Sequence, residues 1–374
     1  MNGKKFILLF CITWDKTFVN KNIGNHLRYL TQSKKHDILY ISREQTSFDG
    51  IKDINGNIEC ISLNKQNGIK GEIKYYINLI NILFKYNIEL VFWSYLGYPE
   101  NILFRLFSIP YILKSDSLKS YISKTKNPLK IINSKIKLFI DQKSILTLTE
   151  TNKNFNLLTN LHFSNIVLRP NSIDVNKVKK FILNNKSGYI LITGRFAAEK
   201  NILDSFKVLK NLIQRGYLFH IHFYGEISDQ KYYDECLHYL RINNCLQYFS
   251  FLGFHSKEDL WKRINNYKYS INTSLKEGLP NRFLEIMLLN TPILTYDVGY
   301  VTEFVDNNNG YIVDVGDYMS IANKIIEFES HPITYLNCLK SLSSKNYQTF
   351  DIENEKKLYE FFLKKYLNEN IVFK

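Results

Sequence analysis

The sequence predicts an α/β protein made of two Rossmann-like, doubly wound domains. Three observations carry this. Short apolar runs alternate with amphipathic stretches along the whole chain, the pattern of parallel strands covered by helices on both faces. The alternation breaks once, in a polar and basic stretch over residues 175–187, and then restarts. The length of 374 residues is long for one core and comfortable for two.

In the first half, strands are expected at Lys5–Cys11, His36–Ser42, Asn57–Leu63, Glu89–Tyr95, Pro110–Lys114, Ser144–Leu148 and Asn165–Leu168. Helical periodicity appears at Ile23–Thr31, at Glu72–Tyr86 and within Asn127–Lys143. The stretch ending Asn184-Asn185-Lys186-Ser187-Gly188 has linker composition, which places the boundary after Lys186. The second half reads as strands at Tyr189–Thr193, Phe219–Tyr224, Phe249–Leu252, Tyr269–Thr273 and Pro292–Tyr296. Helices are expected at Ile202–Arg215, Gln230–Asn243, Glu258–Asn265 and Arg282–Leu289. The expected domains are therefore 1–186 and 187–350, with residues 351–374 forming a helix that reaches back to the first. Two such domains facing each other make a cleft, with ligands at the C-terminal ends of the strands.

Composition excludes several classes. The longest apolar run, Phe6 to Thr13, is about half of the roughly 18 residues that suggest a span. The first residues lack a long apolar region and a small-residue cleavage site. Cys11, Cys60, Cys236, Cys245 and Cys338 show no metal or disulfide spacing, which fits a reducing cytoplasm. His26, His220, His222 and His255 are read as structural, and there is no Asp-x-Asp. The net charge of +14 is uneven: residues 1–186 hold 28 Lys and Arg against 13 Asp and Glu, whereas 187–374 hold 21 against 22. This suggests an anionic partner for the first half, weighed against a merely solvated lysine-rich surface. Within Asn127–Lys143, Lys130, Lys135, Lys137 and Lys143 accompany Leu129, Ile132, Ile136 and Ile140 at helical spacing. Such a helix can lie on anionic lipid or pack its apolar face on the domain.

Four constellations could carry chemistry. The densest runs Ser274-Leu275-Lys276-Glu277-Gly278-Leu279-Pro280-Asn281-Arg282-Phe283-Leu284-Glu285. Glu277 falls in a loop and Glu285 about one turn into a helix. The free N–H groups of the helix start are a natural seat for a diphosphate, and two carboxylates beside it can hold hydroxyls. The plainer reading is a loop glutamate and a capping one. The second is Thr193-Gly194-Arg195 followed by Glu199-Lys200-Asn201, between a strand and a helix. Arg195 and Lys200 can converge on phosphate oxygens, or either can pair with Glu199 on the surface. Gly24 in Ile23-Gly24-Asn25-His26 could line a cleft or simply enter a helix. Asp116 in Lys114-Ser115-Asp116-Ser117 could be a site carboxylate at a strand end or a cap. Neither GxxxxGK[ST] nor GxGxxG follows a strand, against a P-loop or a dinucleotide oxidoreductase.

In this order the residues resemble the retaining GT-B glycosyltransferases of the "glycosyl transferases group 1" family, family 4-like. Leu191-Ile192-Thr193-Gly194-Arg195 with Glu199-Lys200-Asn201 resembles its glycine-arginine and glutamate-lysine signature. His222-Phe223-Tyr224-Gly225-Glu226 resembles its second strand, Phe251-Leu252-Gly253-Phe254 its next strand and turn, and Ser274 to Glu285 its E-x7-E block. Pro292-Ile293, Gly299, Glu303 and Asn309-Gly310-Tyr311 resemble its closing strands, and Arg169-Pro170-Asn171-Ser172-Ile173-Asp174 a PNGxD element with Ser172 for glycine.

The resemblance implies a GT-B fold and a nucleotide-sugar donor. Arg195 and Lys200 would hold the diphosphate beside Gly194, and Glu285 the ribose. Glu277 would hold the donor sugar's hydroxyls, with backbone near Gly253 and Phe254 reading the base. Ser274, Gly278, Leu279, Pro280 and Asn281 would complete the donor block. It further implies a retaining hexose transfer from a UDP- or GDP-linked donor, and the missing Asp-x-Asp makes a metal-independent transfer with no cofactor the expectation. The acceptor would be a glycan or lipid-linked sugar of bacterial lipopolysaccharide or capsule. Glu277, Arg195, Lys200 and Asp116 are the expected catalytic set, and Gly24 and Asp116 the acceptor-side loops; Gly24 and Asp116 are read from their places after strands, since the resemblance carries over no acceptor residue. Where the family often has Glu-Gly-Phe-Gly, this chain has Glu277-Gly278-Leu279-Pro280, and Pro280 offers no N–H. The expected location is the cytoplasm, peripheral to the inner face of the plasma membrane. Other readings are a nucleotide-sugar epimerase on the same fold, a catalytically inactive partner subunit, and a nucleic-acid-binding module; nucleic acid is not the expected partner.

Overall fold

The computed structural model describes residues 4–11, 27–51, 54, 56–95, 99–115, 127–182, 187–278 and 281–369. Gly24, Asp116, Leu279 and Pro280, named above as site candidates, lie outside them. The chain divides into two units: residues 1–171 with 353–374, and residues 172–352.

Among the described residues the first unit holds a seven-stranded sheet in the order β3-β2-β1-β4-β5-β6-β7. Its strands are β1 (Lys5–Cys11), β2 (His36–Ser42), β3 (Ile58–Ser62), β4 (Asn87–Tyr95), β5 (Tyr111–Ser115), β6 (Leu146–Thr149) and β7 (Ile166–Leu168). All pairings are parallel. Alternate residues of β1 feed two core layers: Ile7 and Leu9 face one, Phe6, Leu8 and Phe10 the other. The second of these layers also takes Tyr75 and Leu79 from helix Ile69–Lys85, Phe104 from helix Glu100–Leu106 and Leu158 from helix Asn152–Asn160. Leu138 of helix Pro128–Asp141 packs against it. These helices therefore cover one face of the sheet.

The opposite layer is closed by the C-terminal helix Ile352–Leu367, through Tyr359, Phe362 and Leu363. Glu355 of that helix pairs with buried Arg169 at 2.7 Å. Beyond it, Glu369 accepts from the Lys34 amide at 2.8 Å and lies 2.7 Å from His36 Nδ1, while His36 Nε2 lies 2.7 Å from Glu89.

The second unit holds a six-stranded sheet, again all parallel, in the order β10-β9-β8-β11-β12-β13. Its strands are β8 (Ser187–Thr193), β9 (His220–Tyr224), β10 (Phe249–Gly253), β11 (Tyr267–Asn272), β12 (Ile293–Tyr296) and β13 (Gly310–Val313). Successive strands go outward from β8 to one side and from β11 to the other, so the order reverses between them. That is where ligands bind in open α/β sheets.

Sequence reasoning placed the division at residue 186, but residues 172–182 fold with the second unit. Within the stretch read as a linker, Asp174 caps a short helix, Val175–Lys179. Ile173, Val175 and Val178 are buried in the second core, and Phe181 packs on Trp261. A few apolar side chains at the right spacing outweighed the polar composition around them. Helices Tyr318–Ser330 and Pro332–Ser344, which periodicity did not single out, also belong to this unit.

Candidate donor site in the second unit

Three strand ends meet through glycine. The Gly194 N–H donates to the Tyr224 carbonyl at 3.0 Å, and the Gly225 N–H to the Gly253 carbonyl at 2.9 Å. Gly225 has φ of 155°, and a Cβ there would fall 1.6 Å from the Gly194 carbonyl oxygen. Only glycine lets the ends of β8 and β9 approach this closely.

Two loops are then tied across this edge. The Leu275 N–H donates to the Glu199 carbonyl at 2.9 Å, and the Thr273 hydroxyl to the Asn201 carbonyl at 2.8 Å. The segment carrying Arg195 and Lys200 is thus held against the one carrying Glu277. Behind it stands Gly299, at φ of 62°, where a Cβ would lie 2.3 Å from the Glu277 carbonyl oxygen.

Between these loops is a cavity of about 280 Å³. Thr193, Gly194, Arg195, Lys200 and Glu277 line it, joined by Tyr224, Gly225, Glu226, Phe254, His255, Leu260, Arg282 and Phe283. Lys200 Nζ is 2.7 Å from Glu277 Oε1, both side chains being largely sheltered. Arg195 pairs with Glu199 at 2.8 Å and is well exposed, so the surface pairing weighed from sequence does occur for Arg195. Arg282 pairs with Glu285, one turn on in helix Asn281–Leu288. Phe254 is 74% exposed at the cavity, unusual for a phenylalanine with no covering element.

Of the residues expected from sequence, Gly194, Arg195, Lys200, Phe254 and Glu277 come together here. The others are placed differently. Gly253 ends β10 and gives its carbonyl to Gly225 instead of lining the cavity. Ser274 is fully buried, its hydroxyl donating to Asn272 Oδ1 at 2.7 Å, so it braces the loop and does not face a ligand. Asn281 begins the helix, and Gly278 accepts from the Tyr300 N–H at 3.4 Å. Glu285 is only 2% exposed.

Sequence reasoning missed Tyr224, Glu226, His255 and Phe283 as lining residues, and left the role of Arg282 open. His255 is among the lining residues, its ring packed edge-on against Tyr224. Behind the cavity, the Tyr224 and Tyr267 hydroxyls lie 2.8 Å apart, and Tyr267 is 2.8 Å from His222 Nδ1. Burial, reinforced by neighbouring His220, lowers the His222 pKa, so its imidazole is neutral at pH 7. Burial also raises the Tyr267 pKa, with the Tyr224 hydrogen bond adding to it. This wall is therefore uncharged, and the charge of the cavity comes from its loops.

Residues 175–345 match the family described as Glycosyl transferases group 1. A Staphylococcus aureus poly(ribitol-phosphate) alpha-N-acetylglucosaminyltransferase is 23% identical over 192 residues, covering 50% of this chain and 37% of that protein. The S. aureus capsular polysaccharide biosynthesis glycosyltransferase CapM is 26% identical over 156 residues, covering 41% of this chain and 40% of its own. The chain thus spans about two fifths of the length of these relatives. The structure of Anabaena HepE in complex with UDP superimposes with a TM-score of 0.70 at 14% identity, covering 96% of this chain and 99% of that one. The two parallel sheets with flanking helices are the GT-B fold. With its signature glycines gathered at one sheet edge, the second unit matches the glycosyl transferases group 1 family over residues 175–345.

Proposed function

We propose that this chain is a glycosyltransferase that moves a hexose from a UDP- or GDP-linked donor to a glycan or lipid-linked acceptor in bacterial surface polysaccharide synthesis. The observation that carries the reading is the convergence of Arg195, Lys200 and Glu277 on one cavity at the strand-order reversal. The diphosphate sits on Arg195 and Lys200. It draws Lys200 from Glu277 and leaves that carboxylate to accept from donor-sugar hydroxyls. The exposed Phe254 ring takes the base. HepE, which has the same fold, was captured with UDP. The relatives that act on poly(ribitol-phosphate) and in capsule synthesis support an acceptor of the surface-polymer class.

In the reaction, the bond from the anomeric carbon to the diphosphate oxygen breaks and one to the acceptor oxygen forms on the same face. The acceptor proton passes to a diphosphate oxygen, so no protein nucleophile is needed. Arg195 and Lys200 stabilise the charge that develops on the leaving group, in the role a metal plays elsewhere. Neither cofactor nor metal is part of this scheme.

Thermal shift with UDP and GDP tests it, because a ligand of the native state alone raises stability by mass action. One of the two should stabilise the parent, and Arg195→Ala and Lys200→Ala should each weaken the response sharply. Binding by both variants equal to the parent's would remove the assignment. Turnover should also survive EDTA; loss restored by Mg²⁺ would overturn the metal-free scheme.

The first unit supports a lipid-linked acceptor reached at an anionic membrane. No described helix is long and apolar enough to cross a bilayer. Helix Pro128–Asp141, however, leaves Leu129, Ile132, Ile136 and Phe139 exposed, so much of its apolar surface is not used for packing. Helix Ile69–Lys85, on the same face of the sheet, exposes Ile69, Ile73, Ile77 and Phe84 beside Lys70, Lys74 and Lys85. Apolar side chains flanked by lysines match an anionic lipid surface.

A further inference from the structure

We infer that Arg282 is a third phosphate-binding cation of the donor site, held on Glu285 until the donor ribose displaces it. The inference rests on the nucleotide-sugar reading and deepens it. Arg282 lines the same cavity as Arg195 and Lys200, with its side chain 31% exposed. Its guanidinium pairs with Glu285, whose carboxylate is almost wholly buried. A buried carboxylate needs a partner, and Arg282 is the one the structure records.

Arg282 is thus a long, forked side chain with one end in a pair and its flank on the cavity. Ribose hydroxyls are donors, and they can take over the Glu285 carboxylate without leaving it unsatisfied. The freed guanidinium then turns to the nearest anion, the diphosphate, which it matches in fork geometry. The Lys200 and Glu277 pair undergoes the same exchange on the other loop, Lys200 to phosphate and Glu277 to sugar hydroxyls. The cavity is self-neutralised when empty, and each pair opens toward the part of the donor it suits.

The test separates a phosphate contact from simple support of Glu285. Affinities of the parent, Arg282→Ala, Arg282→Lys and the double variant Arg282→Ala/Glu285→Gln are measured for UDP and GDP by calorimetry. The corresponding nucleosides are measured by competition. Arg282→Ala should weaken the diphosphate about tenfold or more, the scale of a lost charge-assisted hydrogen bond. The nucleoside should change less than about twofold, the same contact being absent. Arg282→Lys should restore part of the diphosphate affinity. The double variant, which leaves no unpaired buried charge, keeps the test valid if Arg282→Ala folds poorly. It should still lose preference for diphosphate over nucleoside. Equal losses for nucleoside and diphosphate would show that Arg282 only buttresses Glu285 and would overturn the inference, as would no loss at all. A parent that binds neither nucleoside diphosphate would instead remove the nucleotide-sugar reading itself.

Discussion

The two units use their lysines and arginines in opposite ways. In the second unit, every Arg or Lys that lines the cavity is matched to a carboxylate: Arg195 to Glu199, Lys200 to Glu277, Arg282 to Glu285. The unit as a whole, residues 172–352, is nearly neutral, with 20 Lys and Arg against 19 Asp and Glu. The first unit, residues 1–171 with 353–374, holds 29 against 16. On its outer helices Lys70, Lys74, Lys130, Lys135 and Lys137 make no ion pair among the described residues. On the proposed reading, the more sheltered pairs, Lys200 with Glu277 and Arg282 with Glu285, open only to a ligand that also satisfies the carboxylate, which gives specificity. Unpaired lysines around exposed apolar side chains respond to any anionic surface, and their response fades with salt. On the proposed reading, the same residue type serves selection in one unit and adhesion in the other.

The largest effect that would break this comparison is on vesicle binding. The chain should co-sediment with anionic vesicles at low salt and not with neutral ones. Changing Lys130, Lys135 and Lys137 together to Glu should abolish this, since each near-surface lysine contributes about 1 kcal/mol and the reversal adds repulsion. Nucleoside diphosphate affinity should be unchanged, because those residues belong to the other unit. Equal recovery in the supernatant with both lipids would sink the membrane contact and favour a soluble acceptor. Capture by neutral vesicles as well would make the exposed isoleucines, not the charges, responsible.

A smaller effect sharpens the cavity side. Glu285→Gln should raise the donor KM, losing charge-assisted hydrogen bonds to the ribose of about 1.5–3 kcal/mol. Glu277→Ala should act mainly on kcat, its contact lying nearer the reacting carbon. Full activity of Glu277→Ala would end that residue's assigned role. A KM effect confined to Glu277, with Glu285 silent, would exchange the two assignments.

The strand series was legible in the sequence because buried parallel strands are continuous apolar runs. β1 and β2 follow from Lys5–Cys11 and His36–Ser42 with no knowledge of neighbours. The cavity's charged residues were legible because they stand in motifs that resemble those of the glycosyl transferases group 1 family. What stayed hidden was set by tertiary packing. Residues 172–182 look like a linker until Ile173, Val175 and Val178 find the second core. Ser274 looks like a ligand contact until its hydroxyl is seen to turn inward to Asn272. His255 and Phe283 carry no local signal that they border a cavity, because the cavity is made by loops far apart in sequence. The apolar spacing on helix Pro128–Asp141 was visible, but only burial distinguishes a packed face from an exposed one.

The smallest expected effect concerns a place where the first unit pairs its charges closely, the seat of the C-terminal helix. Glu369 is held by the Ser33 hydroxyl at 2.5 Å, the Lys34 amide and His36 Nδ1, and Lys35 Nζ donates to the Asn368 carbonyl at 3.2 Å. Burial alone would raise the Glu369 pKa, but the hydrogen bonds from Ser33, His36 and Lys34 outweigh it and hold the carboxyl below its ordinary value. Glu89, on the other side of the same imidazole, is lowered too: burial opposes the shift, while Lys5 and His36 carry it. A carboxyl with a depressed pKa in the folded state contributes stability that is fully present above its unfolded pKa and lost as pH falls through the folded one. The clasp should therefore be complete at neutral pH and weaken below about pH 4.3, the unperturbed glutamate value. Glu369→Gln should lower stability by about 1–3 kcal/mol at pH 7, the cost of leaving buried partners unsatisfied. It should also flatten the loss of stability with acid, because one of the two titrating carboxyls is gone. Hydrogen exchange over residues 352–367 reads the effect locally: the variant should expose this helix at neutral pH while strands β8–β13 stay protected. Unchanged protection of the helix, or an unchanged acid slope, would mean that the apolar contacts of Tyr359, Phe362 and Leu363 hold it without help from the clasp.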